Sequence, residues 1–258
     1  MTMTQDNELQ SGLEPKKVSD GLALDWIKLS TKLCFENYAI ALGISFVSLV
    51  FLFVSKVPII GVAIYYFCSV PLAAGVLIIS KSWLEGRRRP FADYFMAFND
   101  TQMFKLLTPL AILRCIIMVG ISILYVLAEQ MPLLVLPVGL LGLIVMVFDY
   151  MAFFYGIPLV VFHKLPPLAA IKLSFAAVNK NLWVEFLNGT FLGVYFVLSL
   201  LALAFPVFFV FLPAMLALCC IKYMSIFENF DVEKALEMRQ NVSTQSSDKV
   251  ASENETNS

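Results

Sequence analysis

The sequence predicts an all-α fold, a polytopic transmembrane bundle of about six spans with amphipathic helices on its cytoplasmic surface, and two observations carry that reading. Of the 258 residues, 60% are hydrophobic and only 14% charged. One soluble core could not hide so much apolar surface, so lipid must cover the rest. The apolar excess is made of large side chains, with 23 Phe against 12 Gly, which excludes fibrous and low-complexity chains. The net charge of -1 points to no nucleic-acid partner.

Taken in order, residues 1–21 are polar, carrying Asp6, Glu8, Glu14 and Asp20 without an apolar run. They are expected to form a disordered cytoplasmic tail rather than a secretory signal. The transmembrane domain is expected over residues 22–228. Leu22, Trp26, Leu29 and Leu33 recur at helical spacing with Asp25, Lys28 and Lys32 between them, the pattern of an interfacial amphipathic helix. A first span over Tyr38–Val54 turns tightly through Ser55–Pro58 into a second, Ile59–Ile79. The chain then becomes polar and basic before Phe91–Phe98, whose Phe91, Phe95 and Phe98 share one helical face and predict a surface helix dipping into the membrane or docking a partner.

A third span, Leu106–Ala128, is followed after Pro132 by an apolar stretch that ends only at His163. That is more than the roughly twenty residues a bilayer needs, so a break is expected at Gly156 and Pro158. Leu168–Asn181 reads as another surface helix, with Leu168, Ile171 and Phe175 opposite Lys172 and Lys180. The fifth and sixth spans, Phe186–Ala204 and Val207–Phe227, meet at a Pro206 hairpin. The tail 229–258 is expected to be mostly disordered and cytoplasmic, apart from a turn or two at Val232–Met238.

Orientation follows from the bases. With six spans, all of the 18 Lys and Arg except Lys56 and Arg114 fall on the side of the termini, which makes that side cytoplasmic. The cysteines, Cys34, Cys68, Cys115, Cys219 and Cys220, lie in or beside apolar stretches and read as packing residues.

Several short patterns repeat. Val70–Leu106 resembles Ile157–Leu187, with Phe95–Asn99 aligned on Phe175–Asn179, and Pro213-Ala214 in the sixth span reads as a third partial copy. Pro71, Pro158 and Pro213 each remove a backbone hydrogen bond inside a span, so helix kinks are expected there. Together Pro71-Leu-Ala-Ala-Gly75, the Glu85–Phe98 stretch and Leu173-Ser-Phe-Ala-Ala-Val-Asn179 resemble a broad group of bacterial six-helix inner-membrane proteins of unknown function. That group is related to the membrane domain attached to some glycerophosphodiester phosphodiesterases. The likeness covers roughly residues 22–228 and departs where Ala97 stands for the usual glycine. It implies the fold and a bacterial inner membrane. It brings no active site, because the phosphodiesterase motif is not present in the sequence.

No Gly-rich phosphate loop and no cluster of His, Cys and acidic residues suggests catalysis, a metal or a cofactor, and His163 is the one histidine. The protein is therefore expected to be non-enzymatic. Arg87, Arg88 and Arg89 read as a topology signal or a contact for anionic lipid. Three ionisable residues fall within spans: Arg114, Asp149 and Glu185. Glu185, near the start of its span, is expected to reach the interface. Arg114 lies fourteen residues before Ala128 and Asp149 seventeen after Pro132. At 1.5 Å per residue their depths agree within about 5 Å, so they are expected to pair across the third and fourth spans. Three functions stay open: an accessory or membrane-organising protein that binds lipid or another membrane protein, a small transporter or channel using Arg114 and Asp149, and an immunity protein against a membrane-active toxin.

Overall fold

A computed structural model describes residues 13–201 and 212–239, and the expected Pro206 hairpin and outer part of the tail lie outside that range. Among the described residues the fold is an all-α bundle. Its α-helices are α1 (Leu22–Glu36), α2 (Tyr38–Val54), α3 (Ile60–Leu84), α4 (Met96–Asn99), α5 (Thr101–Glu129), α6 (Pro132–Phe153), α7 (Gly156–His163), α8 (Pro167–Lys180), α9 (Leu182–Leu201) and α10 (Leu212–Phe227). A 3₁₀ turn, Phe91–Phe95, precedes α4.

Three stretches are long and apolar enough to cross a membrane: α3, α5 and Pro132–His163 counted through its break, of 25, 29 and 32 residues. Two further crossings are formed if each bent pair counts as one, α1 with α2 at 103° and α8 with α9 at 81°. The sharp bends arise because an amphipathic helix, buried on one side only, feeds directly into a helix that is apolar nearly all round. In α1 the buried positions Ala23, Trp26, Leu29, Ser30, Leu33 and Cys34 follow helical periodicity, whereas α2 exposes Phe46, Val50, Leu52 and Phe53. The sixth expected span rests partly on 202–211, outside the described residues.

The packed core gathers at one end of the bundle. There Trp26, Ile79, Tyr155, Tyr223 and Ile226 are almost wholly buried, while Leu133, Leu136 and Met146 of α6 stand 90%, 73% and 67% exposed. Large apolar side chains in that number need a hydrocarbon neighbour.

The three prolines expected to kink their spans take different positions in their helices. The helix α3 continues through Pro71. The fourth apolar stretch does break, but at 154–155, so that Pro158 lies in the first turn of α7, where its missing N–H leaves no bond unmade. Pro213 is the second residue of α10.

The expected surface helix at Phe91–Phe98 is two short pieces, and the phenylalanine face expected to meet membrane or a partner is its less buried side. Tyr94 and Ala97 point inward, 2% and 0% exposed, while Phe91 and Phe98 are 37% and 39% exposed and Phe95 is half-buried. The cause is a close backbone approach: the Tyr94 carbonyl lies where a Cβ on Gly75 would be, so the turn lies directly on α3. Burial pushes the Tyr94 hydroxyl above the ordinary tyrosine range, and its oxygen stands 3.3 Å from Ser48 Oγ.

Among the described residues, 13–21 are held against the bundle where a disordered tail was expected, while the helix at 232–239 lies where a turn or two was expected. Asn181 holds the N-terminal segment through two bonds: its Oδ1 accepts from the Val18 N–H at 2.9 Å and its Nδ2 donates to the Lys16 carbonyl at 2.8 Å. The Lys16 N–H donates to the Ile226 carbonyl at 3.0 Å. Residues 232–239 are helical, with Val232 buried. Arg239 there pairs with Glu36 and donates to the Trp83 carbonyl at 2.8 Å.

Candidate functional site

Where α3, α5, α6, α7 and α10 meet, they leave a cavity of about 470 Å³. Its wall is mostly apolar, made by Val76, Leu77, Met118, Met146, Phe153 and Ile157, with Tyr65, Tyr66, Arg114, Asp149 and Tyr150 as its polar side chains. The volume falls in the range of cavities that take small organic ligands.

Arg114 and Asp149 form a two-pronged ion pair on that wall. Arg114 Nε donates to Asp149 Oδ1 at 2.8 Å and Nη2 to Oδ2 at 2.7 Å, the planar fork geometry that Arg favours with a carboxylate. Nη1 donates to Ser69 Oγ at 3.2 Å, and the Ser69 hydroxyl donates to the Tyr66 carbonyl at 2.8 Å. The guanidinium carbon lies 5.4 Å from the ring centres of both Tyr66 and Phe153, so aromatic faces supply part of the solvation that water would. The two side chains are 21% and 12% exposed, which leaves part of this polar group facing the cavity.

A second ion pair, unforeseen from the sequence, lies deeper in the protein. Glu185, expected at the interface, is buried, and so is Lys222, which the sequence grouped with the cytoplasmic bases. They pair with each other. Glu185 accepts hydroxyl bonds from Tyr150 and Tyr155. Lys222 Nζ donates to Tyr150 Oη at 3.0 Å and approaches Asn188 Oδ1 at 3.4 Å, with the Phe154 ring centre 4.5 Å away. Every oxygen of Glu185 is thus met inside the protein, which removes any need for it to reach water. One signal of the pair is present in the sequence: Lys222, Tyr223 and the acid Glu185 all interrupt otherwise apolar runs. Tyr150 lines the cavity and also bonds both members of the second pair, Glu185 and Lys222.

The remaining expected residues lie elsewhere. Arg89 pairs with Asp93 at 3.1 Å and Arg87 with Glu85, near the start of the 3₁₀ turn, and neither lines the cavity; Arg88 is exposed. His163 Nε2 lies 3.9 Å from Glu228 Oε1, and Glu228 also pairs with Lys81 at 3.0 Å. Cys219 lines the cavity and donates to the Phe154 carbonyl at 3.3 Å. Among the described residues no three His, Cys, Asp or Glu side chains gather to hold a metal ion. No family model, curated protein or solved structure matches the chain.

Proposed function

We propose that this is a non-enzymatic, multi-pass protein of a bacterial inner membrane, with both termini cytoplasmic, that works by binding a lipid-like molecule in the cavity of α3, α5, α6, α7 and α10. The observation that carries the reading is the composition of the cavity: a mostly apolar wall with one concentrated polar patch, Arg114–Asp149 with Tyr65 and Tyr66. That division suits an amphiphile whose chain lies on Met118, Met146 and Phe153 and whose polar group reaches the ion pair. The resemblance to the six-helix family supports the same location and supplies no competing chemistry.

The test is to purify the protein in mild detergent and to quantify co-purifying lipids by mass spectrometry. Wild type should retain one amphiphile per chain in excess over bulk lipid. Met118→Trp, which fills the cavity, should lose it while still folding. Equal retention by both proteins would overturn the assignment. A transport reading is favoured by one further observation, that the Tyr150 hydroxyl couples the cavity to the Glu185–Lys222 pair. A stoichiometric protein in the same preparation would instead support an accessory or toxin-neutralising role.

A further inference from the structure

A second site lies between α1 and α9 and shares no residue with the cavity. The two helices are joined near their starts, where Asn188 Nδ2 donates to the Ala23 carbonyl at 3.0 Å. Further along both, an open groove of about 530 Å³ has Ile27, Phe35 and Tyr195 as its apolar part and Lys28, Thr31 and Lys32 as its polar part. Lys28 and Lys32 are four residues apart, so both heads reach the same side of α1.

The nearby acids are already engaged. Asp25 pairs with Lys28 at 2.8 Å and Glu36 with Arg239. Among the described residues Lys32 has no ion-pair partner, so the groove carries a surplus positive charge beside the Thr31 hydroxyl. The bend of 103° between α1 and α2 is the geometry of a helix lying along a membrane surface before the chain enters it. In that position lysine heads meet headgroups while their stems and the aromatic side chains meet acyl chains.

We propose that this groove binds an anionic phospholipid, with its phosphate on Lys28, Thr31 and Lys32 and an acyl chain against Ile27, Phe35 and Tyr195. The proposal rests on the membrane location argued above and is independent of what fills the cavity. The full-length protein in detergent is titrated with phosphatidylglycerol, phosphatidylcholine or inorganic phosphate while thermal unfolding is followed. Phosphatidylglycerol should raise the Tm and the other two should not. The double variant Lys28→Gln/Lys32→Gln should need about tenfold more phosphatidylglycerol for the same shift, whereas Arg87→Gln/Arg88→Gln should respond as wild type. Equal stabilisation by phosphatidylcholine, equal protection by inorganic phosphate, or an unchanged response of the lysine variant would each overturn the site. Should the lysine variant fail to fold, photoreactive phosphatidylglycerol on the wild-type protein decides: adducts within 27–35 or at Tyr195 support the site, and adducts only elsewhere overturn it.

Discussion

At Arg114 the guanidinium has an anion on one side, a hydroxyl on another and two aromatic faces around it, so its charge is solvated by the protein itself. Either charge left alone in hydrocarbon costs about 2.5 to 3.5 kcal/mol. Arg114→Leu and Asp149→Leu should therefore each lower membrane accumulation and detergent Tm, and the double variant should be less damaged than the sum of the two. Additive damage would mean that the pair contributes no coupling. The Glu185–Lys222 pair is the stricter case, because both side chains are almost fully enclosed, 5% and 1% exposed. Lys222→Met leaves a buried carboxylate with tyrosine donors and no cation, and should destabilise by about 3 to 5 kcal/mol. Glu185→Gln/Lys222→Met should recover most of that loss in a chemical-denaturation series. Tyr155→Phe, which removes one hydroxyl donor, should cost only about 1 to 3 kcal/mol.

Among the elements, the contact between α3 and the turn before α4 depends on one missing side chain. A methyl at Gly75 would meet the carbonyl, carbonyl carbon and Cα of Tyr94, all backbone atoms that cannot rotate aside. Gly75→Ala should force the turn outward and lower stability by about 1 to 3 kcal/mol, seen as a lower Tm and easier proteolysis after Arg87 and Arg88. An unchanged Tm and cleavage pattern would show that the turn is free to move. Asn181 holds the N-terminal segment from the end of α8, through bonds reaching 163 and 165 residues back along the chain. Asn181→Ala should expose Lys16 and Lys17 to trypsin while leaving the rest of the digestion pattern unchanged. Those contacts could not be read from the sequence, since a polar segment of 21 residues carries no pattern that names its partner.

For the whole molecule, the exposed apolar surface of α2, α5 and α6 and the tight core at the other end of the bundle divide the protein into a lipid-facing part and a packed part. If the chain crosses six times, reporters placed near Lys56 and after Gln130 should behave as periplasmic, and those after Arg89, Lys180 and Glu228 as cytoplasmic. A single reversal would remove the six-span topology. By length and composition the described residues contain three candidate spans and up to five with the bent pairs, so the sixth crossing is the part of the topology that this experiment decides.

The all-α membrane class, the turn after Val54, the break beside Gly156 and the matched depths of Arg114 and Asp149 were all readable in the sequence. Each depends on local hydropathy, residue counting or a short turn, and such signals survive without knowledge of neighbours. The burial of Glu185 and Lys222 was not readable, because α9 and α10 bring together residues 37 positions apart, and only the packing of α1, α6 and the 154–155 break beside them supplies the aromatic and hydroxyl groups that make burial tolerable. The inward face of the Phe91–Phe98 segment was likewise decided by tertiary structure. Helical periodicity selected the phenylalanines as the face for membrane or partner, and Phe91 and Phe98 are exposed, but that Tyr94 and Ala97 are the side meeting α3 depends on the close approach of backbone at Gly75, since in a membrane both faces of a helix can be apolar and hydropathy no longer says which one meets protein.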